Sequence, residues 1–562
     1  MLYNDYLRQA ENGDPIAQYE LGMYLATGDD ADRNYRTALE WFRRSAEQGN
    51  TDAKESIGEF YYFGYGVEPD AEEAKKWFME AAEVGNTYAE ALLGDYYLER
   101  SSTDEEYARA AEWLRKAAEK GNAFSAKSLG KLYYFGLGTE QNYEEAIRLF
   151  KIAAESNDSD AEEYLGRCCY LGYGTEQNFD EALKMFRKAA EDGNTDAYYY
   201  LGDAYFFGNG VKEDEYEASR LFRIAAEAGN DEAQFSLGLC LYRGYGVEQD
   251  QTKAYELFKK AAENENCAAE YYLGQCLYYG NGTEKNSDEA IKLFKRASEH
   301  GITDADFYLG LCSYYGNGTE QDMAEAERHF ETAAENDNDE AALFLGMLYN
   351  NCDEPHGSEW LKKSAEAGNT DAMVLLANAY LAGIGVEPAA DEAVKWLLKA
   401  VENDDADAEN LLGSCYYDGD GVEQDYGEAV KWFRISAARG QSDSEHMLGM
   451  CYVQGNGVEI SAEEAYKWFS KAAESGHTEA EYFLGLLHYY GEGAEQDHTK
   501  AVEWFGKAAD KGHNDAMYFL GKCLLEGTGI KQDSKAAYDL LKRSAEDGNE
   551  DAQKLLKEAF DE

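Results

Sequence analysis

The sequence predicts an all-α fold, a solenoid built from tandem pairs of helices. Three observations predict it: one glycine recurs at a fixed spacing, two amphipathic helical periods fill each repeat, and strand alternation is nowhere sustained. The spacing is 36 residues, with one step of 31 that ends on an alanine, and the fifteen positions are Gly22, Gly58, Gly94, Gly130, Gly166, Gly202, Gly238, Gly274, Gly310, Gly346, Ala377, Gly413, Gly449, Gly485 and Gly521.

Each repeat contains two predicted helices, A and B. In the second repeat Ala53, Ile57 and Phe60 follow the spacing i, i+4, i+7, which predicts an amphipathic helix A. Ala74 and Phe78 follow the spacing i, i+4 and predict helix B. A Gly-x-Gly turn lies between the two helices, and a Gly-Asn pair after helix B is typical of a helix C-terminus.

The repeat glycine lies inside helix A, where glycine costs roughly 0.5–1 kcal/mol relative to alanine. Because almost every repeat accepts this cost, we expect helix B to approach the glycine closely. In the second repeat, Trp77 and Phe78 are expected to fill the space beside Gly58.

A lone helix pair cannot bury both of its faces, so every repeat needs neighbours and the chain ends need polar covers. We therefore expect a single solenoid over residues 1–562. It comprises a capping helix at 3–13, fifteen helix pairs at 14–549 with a short unit at about 339–369, and a second capping helix at 550–562.

The repeat, which residues 53–86 show almost whole, has the form A-x-x-x-L-G-x-x-Y-x-x-G-x-G-V-x-x-D-x-x-x-A-x-x-W-F-x-x-A-A-x-x-G-N. It resembles the Sel-one-like repeat, a relative of the tetratricopeptide repeat. The resemblance implies a right-handed α-α superhelix with a concave groove, and a protein that acts as an adaptor. Three repeats depart from the pattern, because the Gly-x-Gly turn is missing after Gly22, Gly94 and Gly346.

Composition restricts the classes of partner. The chain has 111 acidic and 52 basic residues and a net charge of −59, so it repels phosphate backbones and anionic lipids. We expect no nucleic-acid partner, no membrane span and no secretion signal, and hence a cytoplasmic monomer. The acidity favours a basic protein or peptide partner, and a salty habitat is the alternative explanation.

Seven of the ten cysteines share the position two residues after the repeat residue. Equivalent positions in successive helix pairs lie about 8–10 Å apart, too far for a disulfide. We expect small, reduced core residues at Cys168, Cys240, Cys276, Cys312, Cys415, Cys451 and Cys523.

No motif for catalysis, metal binding or a cofactor stands out. Ser128-Leu-Gly-Lys131 matches the Ser-x-x-Lys of penicillin-recognising enzymes, and a β-lactamase activity is ascribed to some relatives, but the companion motifs are absent. We predict a non-catalytic scaffold that binds a partner in its groove. A β-lactamase-like enzyme, and a secreted or host-directed effector on the same scaffold, are the alternatives.

The resemblance implies that helix A lines the concave wall through the positions −3, +1, +4 and +5 relative to the repeat glycine. These positions are aromatic in the middle of the chain, and tyrosine favours recognition surfaces. The predicted partner-binding residues are Tyr199, Phe206, Phe235, Tyr242, Tyr271, Tyr278, Tyr279, Phe307, Tyr314 and Tyr315. Packing between adjacent repeats is the alternative role for these rings.

Nearer the N-terminus the same face of helix A is charged. Lys127, Lys131 and Arg167 stand there beside Glu163. These three cations are predicted to contact a carboxylate of the partner.

Overall fold

The computed structural model describes residues 2–28, 34–350 and 355–560, and every regular element in these ranges is an α-helix. The predicted all-α fold of tandem helix pairs is confirmed. The chain divides into two compact units, Met1–Leu293 and Phe294–Glu562.

The first unit opens with α1, Leu2–Glu11. The A helices that follow are α2 (Pro15–Thr27), α4 (Thr51–Phe63), α6 (Thr87–Glu99), α8 (Ala123–Phe135), α10 (Ser159–Leu171), α12 (Asp196–Phe207), α14 (Asp231–Arg243) and α16 (Cys267–Tyr279). The B helices are α3 (Tyr35–Glu47), α5 (Ala71–Ala82), α7 (Asp104–Glu119), α9 (Tyr143–Ala154), α11 (Phe179–Glu191), α13 (Glu215–Glu227), α15 (Gln251–Glu263) and α17 (Ser287–Glu299).

The second unit continues the alternation and closes with α32, Glu550–Phe560. Its A helices are α18 (Asp304–Tyr315), α20 (Asp339–Asn350), α22 (Thr370–Ala382), α24 (Ala406–Asp418), α26 (Ser442–Gln454), α28 (Thr478–Tyr490) and α30 (Asn514–Glu526). Its B helices are α19 (Met323–Glu335), α21 (Pro355–Glu366), α23 (Ala390–Val401), α25 (Tyr426–Ala438), α27 (Ala462–Glu474), α29 (His498–Asp510) and α31 (Ser534–Glu546).

Side-chain caps set where the helices begin. The side chain of Asn230 accepts a hydrogen bond from the Ala233 amide at 2.7 Å, and its Nδ2 donates to Asp196 of the preceding repeat at 2.8 Å. The Asn of the predicted Gly-Asn signal therefore begins the next A helix and also ties that helix to its neighbour. The preceding glycine, Gly229, has φ +99°, as a helix C-terminus requires.

The repeat glycine is a point of close approach between helices A and B. A Cβ atom built on Gly166 would lie 2.5 Å from Cε1 and 2.7 Å from Cδ1 of Phe186. The close approach is confirmed, but the expectation that tryptophan shares the space is wrong. Trp77 is only half-buried, and its indole N–H donates to Glu73.

The second glycine of the Gly-x-Gly turn makes a contact that the turn signal alone does not reveal. A Cβ atom on Gly66 would lie 2.8 Å from Cβ of Tyr35 and 2.9 Å from the backbone nitrogen of Arg36, at the start of the preceding B helix. The backbone of this turn thus packs directly on the previous repeat, where a side chain has no room.

The core lies between the helices of each unit and contains the predicted cysteine column. All seven cysteines are buried. Burial raises the pKa of the Cys168, Cys240 and Cys276 thiols to about 12, so these thiols stay protonated at neutral pH.

The short repeat after Gly346 consists of α20 and α21. The segments without a Gly-x-Gly turn after Gly22 and Gly346 include residues 29–33 and 351–354, which lie outside the described residues. Across the described part of the chain, no helix combines the length and the hydropathy that a bilayer crossing requires.

Candidate partner-binding surface

Within the first unit, the predicted aromatic residues at −3 and +4 of helix A are half-buried. They are Tyr199, Phe206, Phe235, Tyr242, Tyr271 and Tyr278. The residues at +5, the last position of helix A, are exposed instead: Phe207 is 64% exposed and Tyr279 46%. The face predicted from the sequence therefore has two layers, an inner pair of columns and an outer one.

The inner layer joins adjacent repeats. The ring of Phe235 lies with its centroid 6.0 Å from Phe258 in its own repeat and 5.7 Å from Tyr272 in the next. Tyr242 has the same two neighbours, at 6.0 and 6.1 Å, and Phe258 stacks on Tyr272 at 5.4 Å. These distances are typical of aromatic packing, so the inner rings contribute to the contact between repeats.

The hydroxyl groups of the +4 tyrosines are also used between repeats. Asn281, in the turn of the following repeat, donates a hydrogen bond to the Tyr242 oxygen at 2.9 Å. Tyr170 accepts the equivalent bond from Asn209 at 2.8 Å and donates to Asp203 at 2.7 Å. These +4 tyrosines are therefore engaged between repeats, whereas the +5 side chains are the exposed ones.

The +5 position on α14 is Arg243, between Phe207 and Tyr279 in register. Its guanidinium carbon lies 5.5 Å from the ring centroid of Tyr242. A planar cation over a tyrosine extends the aromatic surface rather than interrupting it.

The predicted residues of the second unit show the same layering. Phe307 is 5% exposed and lies 5.8 Å from Phe344 in the next repeat. Tyr314 is half-buried, and Tyr315 at +5 is 56% exposed.

The sequence did not reveal that the +5 residues are the exposed ones. Their position can nevertheless be read from the sequence, as the residue before the first glycine of the turn. Further exposed apolar residues at +5 are Phe63, Phe135, Leu171 and Tyr490.

The predicted carboxylate-binding cations all have partners within the chain. Lys127 pairs with Asp158 at 2.9 Å and Asp160 at 3.0 Å. Arg167 pairs with Glu163 and lies over Tyr164, while the Lys131 ammonium lies 5.0 Å from the same ring. A carboxylate from a partner would have to displace or share these interactions.

Ser128 is buried on α8, and no group of three or more His, Cys, Asp or Glu side chains within residues 2–28, 34–350 and 355–560 is arranged to hold a metal ion. The local environment of Ser128 is helix packing, in a column where other repeats carry aromatic residues such as Tyr164 and Tyr200.

The same face of helix A carries carboxylates in the second and third repeats. Burial, with a contribution from Glu59 and Asp52, raises the pKa of Glu55 to about 8. The pKa values of Glu59 and Asp95 are also raised by burial. These carboxylates are poorly compensated, and a nearby cation would stabilise their ionised forms.

Replacing Glu55 with glutamine is expected to stabilise the protein at pH 8 by roughly 1–2 kcal/mol, allowing for partial solvent exposure. The folded-state pKa lies above the usual value, so ionisation of Glu55 weakens folding as the pH rises toward 8, and the amide avoids that loss. Thermal unfolding at pH 8 and pH 5 checks this, since the gain should shrink at pH 5. Glu47→Gln, at an exposed position, is the control. An equal gain at both pH values would contradict the prediction.

A family model described as the Sel1 repeat matches this chain in fifteen segments: 15–50, 52–86, 87–122, 123–158, 159–194, 195–230, 231–266, 267–302, 303–338, 353–369, 370–405, 406–441, 442–477, 478–513 and 514–549. A protective antigen of uropathogenic Escherichia coli with this fold is 29% identical over 92% of this chain and 97% of its own, with a TM-score of 0.43. A Sel1 repeat protein of Oxalobacter formigenes is 28% identical over 45% and 100%, with a TM-score of 0.38. A comparison with curated proteins gave no match.

Proposed function

The chain belongs to the Sel1 repeat family, whose fold commonly mediates protein interactions, and we propose that it is a non-catalytic scaffold binding a peptide or protein partner. Proteins of this kind are typically non-catalytic. The predictions of a cytoplasmic location and a monomeric state stay predictions.

One observation carries the proposal: the A helices α8, α10, α12 and α16 of the first unit expose a large apolar side chain at the same position, +5. Phe207 and Tyr279 are exposed at +5 of α12 and α16, with Arg243 at +5 of α14. Aromatic residues and arginine are the side chains that dominate binding hot spots. A row of such residues on consecutive A helices suits an extended peptide or a partner helix laid across them.

The partner we propose carries positive charge. Asp203 lies on the same helix as Phe207, and burial raises the pKa of its carboxyl group, with Tyr170 as its hydrogen-bond donor. Desolvation, followed by the charge of Asp231, also raises the pKa of Glu232 on α14, although the residue is exposed. A lysine or arginine of the partner would compensate these carboxylates, and the net charge of −59 would speed its approach at low salt.

The test places a photo-crosslinking amino acid at position 207 or 279 and, as a matched control, at position 216. Tyr216 is an aromatic residue on helix B that is 69% exposed. We expect the partner to crosslink from 207 and 279 and not from 216. The double variant Phe207→Ala/Tyr279→Ala should weaken capture at least tenfold with unchanged helicity, since a truncated hot-spot residue typically costs 1–2 kcal/mol or more.

Capture should also weaken as salt rises from about 50 to 500 mM, because screening shortens the range of the charge attraction. Equal crosslinking from 207 and 216, or full capture by the double variant, would remove the +5 column as the binding surface. If capture does not depend on salt, the +5 column can still be the binding surface, but a basic partner is excluded.

A further inference from the structure

A pocket of about 430 Å³ lies between α13, α14 and α15 of the first unit, and it shares no lining residue with the aromatic columns. Leu237 and Leu241 of α14 and Leu257 of α15 form its apolar surface. A volume of this size falls in the range of small-molecule sites, which are mostly apolar with a few convergent polar groups.

Three cations surround this apolar surface: Arg223, Lys253 and Lys260. Lys253 pairs with Asp250 at 2.8 Å, which raises the pKa of Lys253, and the positive charge of Arg223 partly offsets that rise. Arg223 and Lys260 form no ion pair, hydrogen bond or cation–π contact with any residue in the described part of the chain.

Two carboxylates, Glu227 and Glu256, also line the pocket. Within the described ranges neither forms an ion pair with the three cations. Because Lys253 is paired with Asp250, the described part of the chain leaves the pocket with two unpaired cations, Arg223 and Lys260, and two carboxylates that form no ion pair with them.

A second pocket of the same unit shows one way in which the lysine at this position is compensated. It has a volume of about 520 Å³ and lies between α9, α10 and α11, two repeats nearer the N-terminus. Its Lys188, the counterpart of Lys260, forms an ion pair with the buried Glu162. At the position of Glu162, the later repeat carries the neutral Gln234.

Other repeats compensate the equivalent lysine with a tryptophan three residues earlier. The ammonium group of Lys116 lies 3.6 Å from the ring centroid of Trp113, and that of Lys507 lies 3.5 Å from Trp504. At the position of the tryptophan, Lys260 has Leu257. Lys260 thus lacks both the carboxylate and the indole ring that engage its counterparts.

From this arrangement we infer that the pocket between α13, α14 and α15 binds a small organic anion. Its carboxylate, phosphate or sulfonate group pairs with Arg223 and Lys260, and its hydrocarbon part covers Leu237, Leu241 and Leu257. The guanidinium of Arg223 offers two parallel N–H groups to such an anion, and Lys260 adds a mobile point charge. A ligand needs both parts, because surface cations alone hold an anion weakly in water.

The test uses the full chain and the fluorescent probe 1-anilinonaphthalene-8-sulfonate, which joins a sulfonate to an aromatic body. We expect saturable binding that weakens at least tenfold in Arg223→Gln/Lys260→Gln. It should be retained in Arg223→Lys/Lys260→Arg, and it should be unchanged in Lys188→Gln, the matched control in the second pocket. Millimolar inorganic phosphate should compete with the probe, and the uncharged analogue N-phenyl-1-naphthylamine should not distinguish the variants.

Circular dichroism checks that each variant keeps its helices. If the double variant unfolds, probe binding is compared between the wild type and Lys260→Gln alone, a substitution at an exposed position. Three results would each overturn the inference: no saturable binding by the wild type, equal binding by the wild type and the glutamine variants, or an equal loss in Lys188→Gln. None of them bears on the +5 column, because the two surfaces share no residue.

Discussion

Replacing Gly449 with alanine is expected to destabilise the second unit by about 1–3 kcal/mol, the usual cost of forcing an extra methyl group into a packed core. A Cβ atom at this position would lie 2.5, 2.6 and 2.8 Å from Cε1, Cδ1 and Cζ of Phe469. The ring is completely buried, so it has no free space to enter. Thermal unfolding, and hydrogen exchange in α26 and α27, measure the loss.

Two features of the chain provide controls for this substitution. Gly506 also lies inside a helix, but a Cβ atom there meets nothing within 4 Å, so Gly506→Ala should stabilise by roughly 0.5–1 kcal/mol. The repeat with Ala377 in place of the glycine carries Leu397 where most repeats have the packed phenylalanine, and both of these residues are fully buried. Three repeat glycines also pack on leucine: Gly94, Gly346 and Gly521.

The natural pair Ala377 and Leu397 shows that alanine can pack against leucine at this position. A Cβ atom on Gly94 would nevertheless lie 2.6 Å from Cδ2 of Leu114, so the fit depends on the local backbone. Gly449→Ala/Phe469→Leu should therefore recover part of the stability that Gly449→Ala loses. If Gly449→Ala were as stabilising as Gly506→Ala, close approach would not explain the repeat glycine. An additive loss in the double variant would show that the ring is not what obstructs the methyl group.

The repeat period made much of the fold predictable, because one spacing sets the register of every helix. The glycine at 36-residue intervals placed helices A and B in each repeat, and the amphipathic periods identified their buried faces. Contacts between repeats were not predictable in the same way. The approach of Gly66 to the backbone of Tyr35 depends on how two separately predicted hairpins stack, which no local period encodes.

The layering of the candidate binding surface was not predictable from the sequence. Periodicity grouped Phe235 and Tyr242 on one face of helix A, yet it could not show that Tyr272 of the next repeat covers part of both rings. The buried glutamates were missed for a similar reason. Glu162 was indistinguishable from the many acidic residues on exposed helix surfaces until its pairing with Lys188 was known.

The surroundings of His446 are expected to make the stability of the neighbouring helices depend on pH. Its imidazole stacks on His477, with ring centroids 4.6 Å apart, and lies 5.7 Å from the centroid of Phe469. Its Nε2 atom makes no hydrogen bond within the described part of the chain. Burial and then the neighbouring His477 lower the pKa of His446 to about 4, while Glu479 and Asp443 oppose the shift.

We expect His446→Asn to remove a loss of stability that the wild type suffers between pH 7 and pH 5. The unfolded chain takes up a proton on this side chain near pH 6.5, whereas the folded chain does not until about pH 4. Stability therefore falls as the pH drops through this window, by about 1–2 kcal/mol at pH 5. Asparagine is the residue at the same position of the preceding repeat, Asn410, so the substitution suits the fold.

The comparison must be between variants at each pH, because carboxylates with raised pKa values change the stability of all of them in the opposite direction. Hydrogen exchange in α26–α28, corrected for the intrinsic rate at each pH, reports the local free energy of opening. His300→Asn, at an exposed position of the same unit, should keep the wild-type pH dependence. If His446→Asn keeps it as well, the buried imidazole is not its source, and the acid sensitivity of these helices must come from groups that His446→Asn leaves in place.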